Sequence, residues 1–166
     1  MPALHLSTLA IAAANVVAWA VIHAGTGYGV HRLPVTRLQH DGWLLRARSA
    51  EDDGRLYERL HIRHWKDRLP EAGALFAGGV TKRHLPGRDR VGLERFVAET
   101  RRAERGHWLA MAGGPIAVLW NPPIGAVLMV GYGVAVNAPF IVVQRYNRLR
   151  VARLLRRSAE RSSRST

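Results

Sequence analysis

Charge is laid out along this chain in blocks, and the blocks constrain the fold more than any motif does. Met1–His31 contains no Lys, Arg, Asp or Glu, and neither does Gly106–Gln144. All 25 basic and all 12 acidic side chains fall in the two remaining stretches, Arg32–Arg105 and Arg145–Thr166. The whole-chain mean hydropathy of -0.10 averages this segregation away. Long uncharged apolar stretches flanked by basic ones are the layout of a membrane protein. The expected fold is an all-α membrane protein with about three transmembrane helices, one N-terminal and two in a C-terminal hairpin. Amphipathic helices on the cytoplasmic interface complete it.

At 166 residues the natural expectation is one domain. Its first span is expected over about 3–24, an Ala-rich stretch with His5, Ser7, Thr8, Asn15 and His23. A cleaved signal peptide is the rival reading, with Ala18-Trp19-Ala20 as its cleavage signal. It lacks a basic leader and would require export of a very basic segment, so a retained helix is preferred. Gly25-Thr-Gly-Tyr-Gly29 reads as a flexible exit. Two further apolar runs, Trp108–Trp120 and Gly125–Val143, meet at Asn121-Pro122-Pro123, where neither helix continues easily. They give expected spans at about 107–121 and 124–143, as a re-entrant or full hairpin. Gly113-Gly114-Pro115 is the expected kink of the first, and Gly125, Gly131 and Gly133 allow close helix contact in the second.

The larger polar block, the loop 32–105, holds 17 of the 25 Lys and Arg. Trp43–Arg48 reads as a short strand or an interfacial stretch. Ser49–Gly54 supplies acidic helix-start chemistry for a helix over Arg55–Lys66, with Leu56, Tyr57 and Leu60 toward an apolar surface. That helix ends near Leu69-Pro70 and suits the headgroup plane. Glu71–Arg90 is a Gly- and Pro-punctuated loop, and the next helix starts near Val91. In the tail 145–166, Arg148–Arg157 suits a surface helix and Glu160–Thr166 is expected to be disordered. Three spans place every Lys and Arg on one side, with the N-terminus outside and the C-terminus cytoplasmic.

A net charge of +13 invites a nucleic-acid partner. No nucleic-acid motif accompanies it, and basic flanks of apolar spans are explained by retention on the cytoplasmic face and attraction to lipid. With no cysteine, thiol nucleophiles, thiolate metal sites and disulfides are excluded.

The chemistry concentrates where the second helix meets its apolar segment. On a helix, Leu93, Phe96, Val97, Thr100, Ala103, Glu104, His107 and Trp108 share one face, and Arg95, Arg102 and Arg105 take the other. Glu104 and His107 stand one turn apart, so the carboxylate can orient the imidazole as a general base toward a hydroxyl. A buried pair that only fixes packing is the alternative. Glu-x-x-His also serves di-metal sites, but a second copy is absent and His61-x-x-His64 adds one further pair, so no metal is expected. His84-Leu-Pro-Gly-Arg-Asp89 has the H-x4-D spacing of glycerolipid acyltransferases, a loose match in a chain with eight His. Arg145, Arg148 and Arg150 are placed to hold phosphates of an acyl donor or headgroup, or to act as a solvated anchor.

Several blocks together carry a resemblance: Ile62-Arg-His-Trp-Lys-Asp67, Lys82-Arg-His-Leu85, Glu99–Glu104 with His107-Trp108, Asn137-Ala-Pro139, and Val142–Arg148. The chain from about Trp43 to Arg157 resembles the glycosyl-4,4'-diaponeurosporenoate acyltransferase family, small membrane proteins of staphyloxanthin-type carotenoid synthesis. The resemblance implies esterification of a glucosyl hydroxyl on a C30 apocarotenoid by a fatty acyl group. The family's motifs fall here on Trp65, Lys66, Glu99, Arg102, Glu104, His107, Trp108, Gln144, Arg145, Tyr146, Asn147 and Arg148. The expected catalytic pair is His107 and Glu104. The expected substrate-binding set is Glu99, Arg102, Trp108, Gln144, Arg145, Tyr146, Asn147 and Arg148. No cofactor is implied beyond an acyl-CoA or acyl-carrier donor acting as substrate. Expected partners are membrane lipid, the donor, the glycosylated carotenoid acceptor and other pigment-biosynthesis enzymes. The rival is a non-catalytic membrane subunit that binds lipid or scaffolds a biosynthetic complex.

Overall fold

Ser7 begins the first helix, its hydroxyl accepting the Ala10 N–H at 3.3 Å. The computed structural model describes residues 6–69 and 89–164, and these are helical or irregular, with no strand among them. The α-helices are α1 (Thr8–His31), α2 (Arg55–Arg59), α3 (Ile62–Trp65), α4 (Arg90–Gly113) and α5 (Pro123–Arg164). Short 3-10 helices cover Val35–Leu38, Ser49–Gly54, Lys66–Arg68 and Gly114–Leu119. Of these elements, α1 and α5 are long and apolar enough to cross a membrane. The chain divides into two compact units. An apolar one comprises Met1–Arg32 and Arg105–Ile141, and a polar one Leu33–Glu104 and Val142–Thr166.

In the apolar unit, α1 does not stop before its glycines. It runs through Gly25–Gly29 to His31, ending only where Arg32 and Pro34 follow. A segment without a charge has no reason to break its internal hydrogen bonds in an apolar medium, whatever glycine costs in water. Thr26 fits the same logic, donating its hydroxyl to Ile22 O at 2.7 Å. The Gly113-Gly114-Pro115 kink appears as a change of helix type. Pro115, at the start of the 3-10 turn, has no N–H to carry the α-helix onward. Asn121 closes that turn with its N–H on Ala117 O at 3.0 Å, and Pro123 opens α5 as its first residue.

Small residues let these segments approach α1. A Cβ on Gly113 would lie 3.0 Å from Ile22, and one on Gly133 2.6 Å from the Trp19 ring. Trp19 also meets Tyr132 edge-on, with centroids 5.0 Å apart. Of the three α5 glycines expected to serve contact, Gly133 does so. Gly131 faces open space, and Gly125 touches only its neighbours Asn121 and Pro122. Polar groups inside this unit are paired. Asn15 Nδ2 donates to Asn121 Oδ1 at 3.0 Å, and Asn15 Oδ1 accepts from Asn121 and from Trp120 Nε1, each at 2.8 Å.

In the polar unit the sequence reading needs several corrections. Of the two readings of Trp43–Arg48, the strand is not found: the N–H groups of Leu45 and Arg46 both reach Gly42 O at 3.0 Å, which makes a turn. The single helix expected over Arg55–Lys66 is broken between α2 and α3, where His61 takes φ 53. The break rotates the following turn, so that Ile62 is fully buried while Leu60 stays exposed. Arg145–Arg164 is no separate surface helix with a disordered end. It continues α5 without interruption to Arg164, and every residue from Val143 to Leu149 is buried. Val143, Tyr146 and Leu149 pack with Tyr57 and Ile62, while Val151 packs with Phe96 and Val97 of α4. At roughly 1.5–3 kcal/mol for each buried large apolar side chain, these clusters are the unit's main cohesion. The α4 face read from the sequence is borne out at Phe96, Val97, Thr100 and Glu104, all buried. The Glu71–Arg90 loop, apart from its last two residues, and the Pro70 helix stop lie outside the described residues.

Close approach predicts unequal responses at two glycines of one helix. Gly133→Ala should destabilise the detergent-solubilised protein by about 1–3 kcal/mol, because its Cβ drives into Trp19. Gly131→Ala should be neutral or stabilising by up to about 1 kcal/mol. Thermal melts followed by tryptophan fluorescence would check both.

Candidate active site

Glu104 is completely buried in the polar unit, and a buried carboxylate must be matched by charge and hydrogen bonds. Its Oε1 accepts from Arg145 Nη1 at 2.8 Å, and its Oε2 accepts from Arg148 Nη1. Both arginines come from α5, three residues apart, on the face turned into the unit. Arg145 also makes a bidentate pair with Glu51, with Nε to Oε1 at 2.8 Å and Nη2 to Oε2 at 3.0 Å. Its remaining donors reach Leu44 O at 3.1 Å and Arg46 O at 2.9 Å. A guanidinium has five N–H donors, and all five of Arg145 are used. Its expected role as a phosphate ligand therefore conflicts with its geometry: an incoming anion would have to displace a partner already bound.

Arg148 is 2% exposed and donates through Nη2 to Leu45 O at 2.6 Å. Its Nε is buried without a hydrogen bond and lies 3.7 Å from Asp41 Oδ1. Asp41 is held in turn by Arg101 Nε at 2.6 Å. Three carboxylates and three guanidiniums thus close a charge-balanced cluster.

Glu51 and Tyr57, which the sequence reading did not select for a site, belong to this cluster. The Tyr57 hydroxyl donates to Glu51 Oε1, and the Arg48 N–H reaches Oε2 at 2.6 Å. Burial alone would push the Glu51 carboxyl up. The Arg145 and Tyr57 hydrogen bonds, with the Arg48 N–H, overcome it and hold the group at about 2, below its ordinary 4.5. Burial and the Glu51 carboxylate both push the Tyr57 phenol up, so it stays protonated as a donor.

Tyr146 is fully buried, its hydroxyl accepting from Arg63 Nε at 3.2 Å and facing Glu58 Oε1 at 3.4 Å. Glu99 and Arg102 pair along α4 at 3.1 Å, and Arg102 also donates to Leu33 O at 2.9 Å. Gln144 and Asn147, on the same turns of α5, are 3% and 9% exposed.

His107 belongs to the apolar unit. Its Nδ1 lies 3.1 Å from Asn137 Oδ1, and its ring stacks on Phe140 with centroids 4.7 Å apart. Asn137 is fully buried and donates its Nδ2 to Gly133 O at 2.9 Å, which fixes which amide atom faces the imidazole. Nδ1 is then the donor, and the neutral ring carries its basic lone pair on Nε2. Asn137 could have been found as an uncommon polar residue in an uncharged apolar run. Trp108 is half-buried beside His107. Among the described residues no three His, Asp or Glu side chains gather as a metal site requires, and the exposed His61 and His64 rings lie 5.8 Å apart. His84 of the H-x4-D spacing and the Lys82–Leu85 block lie outside the described residues.

A family model described as glycosyl-4,4'-diaponeurosporenoate acyltransferase matches residues 41–157. Curated relatives of that name from Staphylococcus aureus strains bovine RF122 and USA300 are each 26% identical over 141 residues. Those residues are 83% of this chain and 84% of each relative. No solved structure matches.

The Glu51 environment fixes the sign of an acid response. Its stabilising contribution is complete above its ordinary value of 4.5 and is lost as pH falls toward about 2. A melting series between pH 6 and 3 should therefore show a steep loss of stability that Glu51→Gln blunts. Arg145→Lys, which leaves several of these groups unmatched, should cost about 3–5 kcal/mol at neutral pH in the same melts.

Proposed function

For a chain that belongs to the glycosyl-4,4'-diaponeurosporenoate acyltransferase family, we propose the following activity: a membrane acyltransferase of carotenoid biosynthesis that esterifies a hydroxyl of a glycosylated apocarotenoid with a fatty acyl group. The observation that carries this reading is the family match over residues 41–157, which includes His107 and the whole Gln144–Arg148 block.

His107 is the general base of the proposal. Asn137 holds its Nδ1–H, so Nε2 takes the hydroxyl proton as the sugar oxygen attacks the thioester carbonyl. The new C–O bond forms, the C–S bond breaks, and the imidazolium returns the proton to the departing thiolate. The chain has no cysteine for a thioester intermediate, and direct transfer is the simpler route. Gln144 and Asn147 are assigned to substrate binding, as polar side chains of the block that the family match includes. Glu104 and Glu51, through Arg145 and Arg148, position the part of α5 that carries those amides. Glu99, Arg102 and Tyr146 of the polar unit, and Trp108 of the apolar one, are also assigned to substrate binding. No cofactor or metal enters the scheme.

In the membrane, α1 and α5 cross, and the segment from His107 to Pro122 makes the third pass. Seven α-helical residues and six in 3-10 conformation at about 2 Å each sum to roughly 23 Å, against about 30 Å of hydrocarbon core, so this third pass is a short one. The exposed Leu109, Ile116, Val118 and Leu119 suit a lipid environment. Basic flanks put the N-terminus outside and the C-terminus in the cytoplasm. The first span stays with the mature protein, since Asn15, Trp19 and Ile22 are built into its packing.

The test is mass spectrometry of pigments from a host making the glycosylated apocarotenoid, with and without this chain. A species heavier by one fatty acyl group is expected. His107→Ala should reduce it by about 100-fold or more with insertion unchanged. Full product from His107→Ala would remove the base, and an unchanged pigment profile from well-inserted wild-type protein would leave a scaffold.

A further inference from the structure

The C-terminal part of α5 carries arginines that the proposed chemistry does not use. Arg150, Arg153, Arg157, Arg161 and Arg164 recur at intervals of three and four, so at 100° per residue they share an arc of about 80°. The row is about 21 Å long. All but Arg153 are exposed, and Arg153 has a long ion pair to Glu58 at 4.0 Å. On the flank, Arg156 reaches Asp53 at 2.5 Å. The only acidic residue in this part of the helix is Glu160, at the edge of the row.

We propose that this row docks an acidic carrier protein that brings the acyl group as a thioester. The inference rests on the acyltransferase reading and specifies its donor. Two observations select this partner. First, the opposite face of the same helix is already covered: Val151 and Leu155 pack against Leu93, Phe96 and Val97. A helix lying in a lipid headgroup layer needs that apolar face for insertion, so what the row presents outward is mostly charge, with Leu154 as the one exposed leucine at its flank. Second, the row is longer than the few phosphates of a nucleotide thioester would occupy. Five guanidiniums at helical repeat match carboxylates spaced by the same repeat on an acidic helix, and Arg pairs with carboxylates in two-pronged fashion. Such contacts steer association and weaken steeply with salt.

The experiment uses the full chain in nanodiscs of zwitterionic lipid, with fluorescently labelled palmitoyl-acyl carrier protein as the probe and anisotropy as the readout. Binding is expected, weakened about tenfold or more by R157E/R161E/R164E and by raising salt from low to about 0.5 M. A small palmitoyl thioester that needs no docking serves as a second donor, and its turnover should be the same in the triple variant and the wild type. That control separates the two ideas: wild-type failure with the small donor removes the activity, whereas carrier binding is read without turnover. Absent carrier binding, or equal binding by the triple variant, overturns the docking surface. So does a variant defect seen only with vesicles of anionic lipid, which would make the row a membrane anchor.

Discussion

Glu104 is a carboxylate with no exposure to water, and the polar unit is arranged around neutralising it. Arg145 and Arg148 supply the charge, and in doing so they also organise chain that has little regular structure. The stretch from Leu33 to Gly54 contains only two short 3-10 turns. Its carbonyls at Leu33, Leu38, Leu44, Leu45 and Arg46 are taken up by Arg102, Arg101, Arg145, Arg148 and again Arg145. Guanidiniums projecting from two helices thus do for this segment what a strand ladder does elsewhere: they give buried and part-buried backbone carbonyls their hydrogen bonds. The arginine excess that dominates the composition is partly internal architecture.

The two units satisfy polar groups by different means. In the apolar unit the partners are neutral: Asn15 with Asn121 and Trp120, Asn137 with His107 and Gly133. Neutral pairs avoid the desolvation penalty that charged ones would carry there. In the polar unit the partners are ions in matched numbers. The His107 Nδ1 there meets the neutral amide oxygen of Asn137.

How much of this was legible in the sequence depends on the range of the cause. The apolar face of α4 follows from local periodicity, and Pro122-Pro123 ends one element and begins another by backbone chemistry alone. Glu104 was recognisable as a carboxylate on an apolar face. Its arginines were not, because sequence spacing exposes neighbours one turn away and hides those 41 and 44 residues off. Arg145 and Arg148 therefore read as ligands for an outside anion. Gly25–Gly29 misled for another reason: glycine's reputation as a helix breaker is earned in water, and α1 shows no charge until Arg32. The break at His61 rests on burying Ile62, a tertiary demand that local acidic and basic spacing does not encode.

Order along the chain adds a consequence in time. The carboxylates at Glu51 and Glu104 are made early, and the guanidiniums that neutralise them lie in the last quarter of the sequence. As the chain leaves the ribosome N-terminus first, the polar unit holds two uncompensated acids until α5 is nearly complete. Those acids stay hydrated, and the segment stays open, until the final helix arrives to close it. A chain cut short before Arg145 cannot reach this closed state.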